Sequence, residues 1–255
     1  MPKTENLPVT THNKGVMACV LISISVLALY HIPYGNLILY PFSLVFTFIH
    51  EMGHGITAIL VGGQFKDFVM SLDGSGLASA MVPSSRFAMA AYAAGGLLAP
   101  PIVAAICLFI SKNPKLSRIT WYAFAAICVI SIVLVVRNTF GIFFVALCGV
   151  ASFALAKFPK TDAIPRYAML VLAITQLTSV FARGDYLFVK YASGDSMNPA
   201  TQQLSDVGAI AEQLFLPYWF WGGLIAIFSI IILILGIRAF FRSPKTQSKA
   251  LPSNG

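Results

Sequence analysis

The chain alternates between long apolar runs and short polar connections. A bilayer span needs about 20 mostly apolar residues. Residues 15–49 contain no Lys, Arg, Asp or Glu, which is too long for one span, and a turn signal at 31–36 divides them. The pattern therefore predicts seven spans, over residues 16–32, 37–62, 87–110, 119–136, 139–156, 166–190 and 217–240.

The shortest connection between predicted spans is the Arg137-Asn138 corner. It leaves little room for a turn between 119–136 and 139–156, so six spans remain an alternative to seven. The Asn138 side chain has three possible uses there: it bonds substrate backbone, it supports a metal ligand, or it caps the corner. Capping is the favoured prediction.

The connection after the second predicted span has a strand-like pattern. Residues 65–72 fit a strand, Asp73-Gly74-Ser75-Gly76 is a turn signal, and residues 77–82 fit a returning strand. A β-hairpin there could offer an edge to an extended peptide. A plain polar loop fits the same residues equally well.

Residues 191–216 form a second polar connection. Asn198-Pro199 interrupts regular structure, and Ser205 is a suitable N-cap for a short helix over residues 206–215. The aromatic run 217–221 follows and is typical of a membrane–water interface.

The composition fits a membrane protein. Hydrophobic residues make up 58% of the 255-residue chain and charged residues 10%, with a mean hydropathy of +0.81. A soluble domain of this size carries about 25% charged residues. We therefore predict an all-α polytopic membrane protein with six to seven transmembrane helices in the lipid bilayer, and a possible β-hairpin after the second.

The excess of basic residues fits the same class. A net charge of +8 in scattered positions is typical of cytoplasmic loops, and no nucleic-acid-binding motif surrounds these residues.

The domain prediction is a polar tail over 1–15, a single transmembrane domain over 16–241 and a basic tail over 242–255. The basic tail favours the cytoplasm, whereas Lys3 and Lys14 leave the orientation open.

The pentapeptide His50-Glu51-Met52-Gly53-His54 is the main chemical signal in the chain, and it lies inside a predicted span. Residues four apart share one face of a helix. Two imidazoles can then bind one Zn²⁺ ion, with Glu51 beside them as general base. The alternative is a polar cluster that stabilises helix packing, but an unpaired Glu inside a span costs at least ~2.5 kcal/mol.

A catalytic zinc needs a third protein ligand. Among the nine acidic residues, Asp185 and Asp206 are the better candidates, with Glu212 behind them. Depth favours Asp185: at about 1.5 Å per residue, it and His54 lie at nearly equal distances along two parallel spans. Asp185 could instead pair with Arg183 or Lys190 at a helix end. Asp185 is the predicted ligand, and Asp206 stays open.

Taken together, these segments resemble the site-2-protease class of intramembrane zinc metalloproteases, and most closely its small bacterial members. The segments that carry the resemblance are 49–55 followed by Gly62-Gly63, 72–76, 137–141, and Ser205-Asp206 before 219–221. The resemblance implies one zinc ion, an Asp as third ligand, a transmembrane protein substrate and the bacterial cytoplasmic membrane.

One motif departs from that class. Classical members carry the third ligand in an Asn-Pro-x-Asp-Gly or Leu-Asp-Gly motif on a later span. The Leu72-Asp73-Gly74 tripeptide here comes 19 residues after His54, within the predicted hairpin turn, and is not the expected counterpart.

Two rival functions remain open on the sequence, a metal-ion transporter and a pseudoprotease that binds membrane clients without cleaving them.

Overall fold

The computed structural model describes residues 9–182, 184–193 and 203–241, without the side chains of residues 9–14, 184, 185 and 193. In chain order the helices are α1 Val9–His31, α2 Gly35–Leu60, α3 Arg86–Ile110, α4 Pro114–Leu134, α5 Thr139–Lys157, α6 Ala163–Ala182, α7 Asp206–Leu214 and α8 Tyr218–Phe241. The strands are β1 Gln64–Met70, β2 Gly76–Met81, β3 Tyr191–Ser193 and β4 Gln203–Leu204, and a 3-10 helix covers Gly184–Phe188.

Within the described residues, six helical segments are long and apolar enough to cross a bilayer: α2, α3, α4, α5, α6 with the 3-10 helix that follows it, and α8. The apolar part of α1, Gly15–His31, is shorter than these. The chain is a multi-pass membrane protein, as predicted, with a count of six within the predicted range of six to seven. The helices α4 and α5 on either side of the short corner are both candidate spans, and the first predicted span is the one that is not counted.

Three predicted span boundaries differ from the structure by five positions or more. The first helix begins at Val9, seven positions before the predicted residue 16. The fourth helix begins at Pro114 instead of residue 119, because the Asn113 side chain accepts hydrogen bonds from the amides of Lys115 and Leu116 and caps it. The sixth α-helix ends at Ala182, and a 3-10 helix replaces α-helix in the stretch predicted to reach residue 190.

The predicted hairpin is present. Strands β1 and β2 pair antiparallel, and Gly74 has a φ of +87° in the turn between them. Thr47 Oγ1 donates to the Gly74 carbonyl at 2.7 Å, and the Tyr40 hydroxyl donates to the Leu72 carbonyl. The hairpin therefore folds back along α2 and places its turn beside the first half of that helix.

The corner between α4 and α5 closes the outer edge of β1. The Phe68 amide donates to the Val135 carbonyl at 2.8 Å, and the Arg137 amide donates to the Phe68 carbonyl at 3.0 Å. Asn138 Oδ1 accepts from the Met70 amide at 3.1 Å, and its Nδ2 donates to the Met70 carbonyl at 2.6 Å. The capping prediction for Asn138 is wrong: its side chain makes no cap bond to α5 and instead continues the strand ladder.

Asn138→Ala is expected to destabilise the protein. Both backbone groups of Met70, whose side chain is fully buried, would lose their partners. Leaving buried polar groups unpaired costs about 1–3 kcal/mol, which corresponds to a melting temperature lower by several degrees in a chain of this size. Thermal unfolding in detergent measures the shift. An unchanged melting temperature would contradict the role of this side chain in holding β1.

Candidate metal centre

The metal motif lies where α2 and α3 approach each other closely. A Cβ atom added to Gly53 would lie 2.5 Å from the Gly95 carbonyl oxygen, and one added to Gly96 would lie 2.2 Å from His54 Nε2. Small residues allow helix backbones to approach in this way inside a membrane. Gly95 therefore allows the close approach to α2, and Gly96 leaves the space that the His54 ring occupies.

Three side chains converge at this point. His50 Nε2 and His54 Nε2 lie 3.1 Å apart, as expected for residues one helical turn apart. Asp206 Oδ2 lies 3.1 Å from His50 Nε2, and Asp206 Oδ1 lies 3.4 Å from His54 Nε2. Among the described side chains, these three form a cluster that could hold a metal ion.

The first turn of α7 carries Asp206, and several contacts fix this turn. Ser205 is the predicted N-cap and is fully buried: its Oγ accepts from the Gly208 amide at 3.1 Å and donates to the Val189 carbonyl at 2.5 Å. The Ser205 amide donates to the Lys190 carbonyl at 2.9 Å. These bonds attach the start of α7 to the segment after the 3-10 helix, and so fix the position of Asp206.

The donor atoms suit a metal ion. Two imidazole nitrogens and a carboxylate are typical catalytic zinc ligands, and at metal–ligand distances of about 2.0–2.1 Å the corners of a tetrahedron are roughly 3.3 Å apart. The three observed separations of 3.1–3.4 Å are close to this value. Asp206 Oδ2 is buried and, despite its distance from His50, has no partner in hydrogen-bonding geometry. A cation would satisfy this oxygen.

The carboxylate of Asp206 is held in its charged form. Burial alone would raise the pKa of Asp206, but the imidazoles of His50 and His54 outweigh burial and lower it below its ordinary value. A ligand carboxylate must be deprotonated to bind a metal ion. The electrostatics of the site therefore agree with its geometry.

The orientation of His54 is set by α3. His54 Nδ1 lies 2.8 Å from the Tyr92 carbonyl oxygen, which can only accept, so Nδ1 carries the proton. The rings of His54 and Tyr92 also pack against each other, with centroids 4.9 Å apart. In the neutral imidazole, Nε2 then presents a lone pair to the cluster, which is the usual arrangement of a metal-binding histidine.

Glu51 is buried next to the cluster, with 6% of its surface exposed. Its Oε2 accepts a hydrogen bond from the Ala78 amide of β2 at 2.8 Å. A Cβ atom added to Gly76 would lie 2.8 Å from Glu51 Cγ, so the hairpin approaches α2 closely here. The carboxylate is fixed by one oxygen, and the other remains available for proton transfer.

A cavity of about 920 Å³ opens onto these groups. Its lining includes His50 and Glu51 of α2, Gly76 of the hairpin, and Tyr186 and Tyr191. Tyr186 also lies beside the cluster, with its ring centroid 6.5 Å from that of His50. This volume is large enough for several residues of an extended chain.

The structure brings together His50, Glu51 and His54 from the predicted site, and adds Asp206, the second candidate for the third ligand. Asp185 lies in the 3-10 helix after α6, and its side chain lies outside the described part of the structure. Its role as a ligand stays a prediction. Sequence reasoning missed Tyr92, Ala78 and Gly96, and only the Gly95-Gly96 pair carried a signal, that of close helix packing.

Gly96→Ala is expected to weaken metal binding. The added methyl group would overlap His54 Nε2, and overpacking of this kind costs about 1–3 kcal/mol. If the ligand moves to relieve the overlap, zinc affinity falls roughly 5- to 150-fold. Gly223→Ala in α8 is the matched control, because a Cβ atom there has no neighbour within 4 Å. Equal zinc affinities in the two variants would contradict this geometry.

A comparison with known proteins agrees with the motifs. The model of the Peptidase M50B-like family matches residues 16–236. No curated protein and no solved structure matches the chain. The match covers five of the six candidate spans and most of α8, together with the residues of the cluster, and it confirms the resemblance that the sequence motifs predicted.

Proposed function

Because the chain belongs to the Peptidase M50B-like family, we propose that it is a zinc-dependent intramembrane endopeptidase. It hydrolyses a peptide bond within or near a transmembrane segment of a membrane protein. The observation that carries the proposal is the convergence of Asp206 with His50 and His54 beside the buried Glu51. The last three residues lie on α2, which is long and apolar enough to span a membrane. The proposed location is a bacterial cytoplasmic membrane.

We assign the zinc ligands to His50, His54 and Asp206. The distances among their donor atoms and the unpartnered Asp206 Oδ2 support this set. A bound zinc ion would polarise the scissile carbonyl and make the attacking water more acidic. The one ion per chain would be held inside the single transmembrane domain over residues 16–241.

Glu51 is the proposed general base. It lies next to His50 on α2, lines the cavity, and has one oxygen occupied by the Ala78 amide. The other oxygen accepts a proton from the attacking water and passes it to the leaving amine. A carboxylate in this position supplies the proton transfer that peptide hydrolysis needs. Helix packing alone does not require a carboxylate there.

The substrate must expose its backbone before cleavage, because a helix hides its carbonyls in internal hydrogen bonds. The cavity accepts an unwound segment between the hairpin and the Tyr186–Tyr191 side. Strand addition to the hairpin is restricted at two described positions: the corner bonds with Phe68 of β1, and Glu51 bonds with Ala78 of β2. The segment therefore binds along the cavity beside these positions.

The experiment that tests the proposal uses the purified chain in lipid vesicles with a panel of single-span proteins whose spans contain helix-breaking residues. We expect zinc-dependent loss of full-length substrate, abolished by a chelator and restored by added zinc. The same vesicles report zinc flux. Flux without cleavage would favour a transporter, and substrate binding without cleavage would favour a pseudoprotease.

A further inference from the structure

A closed ring of hydrogen bonds joins the metal motif to the hairpin through Tyr92. The Tyr92 carbonyl accepts from His54 Nδ1 at 2.8 Å, and the Tyr92 hydroxyl donates to the Ala78 carbonyl at 2.7 Å. The Ala78 amide in turn donates to Glu51 Oε2 at 2.8 Å. Because Glu51 and His54 are three residues apart on α2, the ring contains both a candidate ligand and the proposed base.

The register of the hairpin explains why Ala78 can take part. Phe68 and Ala78 face each other across β1 and β2, and the Phe68 amide and carbonyl bond with the corner on the far side. Directly opposed residues in an antiparallel pair either exchange both bonds or both point them outward. The amide and carbonyl of Ala78 therefore point away from β1, toward α2 and α3.

Burial makes these bonds strong determinants of position. Ala78 and Glu51 each expose 6% of their surface. At such a site little water is available to replace a lost partner, and a hydrogen bond is electrostatically stronger than in bulk water. A shift of the Ala78 peptide would therefore carry the Glu51 carboxylate with it.

We propose that the Tyr92 hydroxyl is a positioning group for Glu51. By holding the Ala78 carbonyl, it keeps the Ala78 amide aimed at Glu51 Oε2 and leaves the second carboxylate oxygen in a fixed place for the attacking water. The catalytic part of this inference rests on the proposed function. The ring itself does not, because it links groups of this chain alone.

The first test is Tyr92→Phe, which removes the hydroxyl and keeps the backbone carbonyl that orients His54. We expect zinc per chain and KM to stay unchanged and kcat to fall about 10-fold or more, within the range for lost outer-shell partners. In the metal-free chain, we expect amide exchange over residues 76–81 to become at least ~10-fold faster. A purely structural role would instead lower the amount of folded, zinc-binding chain.

Tyr40→Phe is the matched control. It removes a hydroxyl that also ties the hairpin to α2, but at the Leu72 carbonyl beside the turn. We expect faster exchange over 71–75, with exchange over 76–81 and kcat unchanged. If Tyr40→Phe lowers kcat as much as Tyr92→Phe does, general loosening of the hairpin accounts for the loss and the assignment to Tyr92 is overturned.

Ala78→Pro is a second test of the hydrogen-bonded ring. It removes the amide that bonds Glu51 without breaking a bond between β1 and β2. We expect a comparable loss of kcat, and no further loss when it is combined with Tyr92→Phe, because both changes break one ring. The proposal would be overturned if the losses of kcat multiply in the double variant, if Tyr92→Phe loses zinc, or if its exchange over 76–81 is unchanged. If the wild-type chain cleaves no substrate but Tyr92→Phe still speeds exchange over 76–81, only the proposed function is overturned.

Discussion

Asp206→Ala is expected to reduce bound zinc from about one ion per chain to almost none, since a catalytic zinc site needs three protein ligands. The carboxylate lies 3.1 Å from His50 Nε2 and 3.4 Å from His54 Nε2, and no other described acidic side chain belongs to the cluster. We expect zinc affinity to fall by more than the ~10- to 100-fold that is typical of outer-shell changes. Elemental analysis of purified protein after dialysis against dilute zinc measures the loss.

Asp185→Ala is the control for that prediction. It removes the same group from a segment close in sequence, and we expect zinc content to stay at the wild-type level. Asp206→Asn tests charge apart from volume and is expected to weaken zinc binding as well. Loss of zinc in Asp185→Ala with retention in Asp206→Ala would contradict the proposed ligand set and restore the prediction made from depth.

Glu51→Gln is expected to reduce cleavage by about 100- to 10,000-fold and to keep the zinc. The amide preserves the shape of the side chain and can still accept from the Ala78 amide, but it cannot take a proton from water. General bases contribute about 100- to 10,000-fold to rate, so turnover of a membrane substrate should fall by a factor in that range. Parallel zinc analysis and cleavage assays on one preparation separate the two effects.

His54→Ala provides the contrasting result, because it should lose zinc and turnover together. A Glu51→Gln chain that retains zinc and still cleaves at the wild-type rate would exclude Glu51 as the base. If Glu51→Gln lost its zinc, the carboxylate would instead belong to the ligand sphere or to the packing of α2.

Most of the architecture follows from the sequence because hydrophobicity and turn chemistry are local signals. The runs without charge predict the spans, and Asp73-Gly74 predicts the hairpin turn, where Gly74 adopts the left-handed conformation. The helix α4 begins five positions before the predicted residue 119, so its first turns contain charged residues. One of them, Arg118, bonds to Asp162 and to the carbonyls of Ala156 and Pro159.

The convergence of Asp206 with His50 and His54 depends on tertiary structure, which the depth argument for Asp185 does not include. The depth argument assumed α-helical rise through residue 190, but α6 ends at Ala182 and a 3-10 helix follows. Asp206 reaches the cluster because Ser205 bonds to the Val189 and Lys190 carbonyls. No spacing rule encodes those contacts, although Ser205 was recognisable as an N-cap.

Contacts between elements that are distant in sequence were equally difficult to predict from sequence patterns. Asn138 bonds to Met70 across 68 positions, and Tyr92 links residues of α2 and β2 that a pattern of single residues does not connect. By contrast, His50, Glu51 and His54 could be recognised at once, because their geometry is set by one helical turn.

The central claim, hydrolysis inside the membrane by this chain, is tested most directly by the mass of the products formed from a single-span substrate in ¹⁸O-labelled water. The account predicts two fragments that meet within or beside the span, one ¹⁸O atom in the new carboxyl terminus, and at least ~100-fold less product from Glu51→Gln. Intact substrate beside a fully zinc-loaded wild-type chain, for every substrate in the panel, would contradict it.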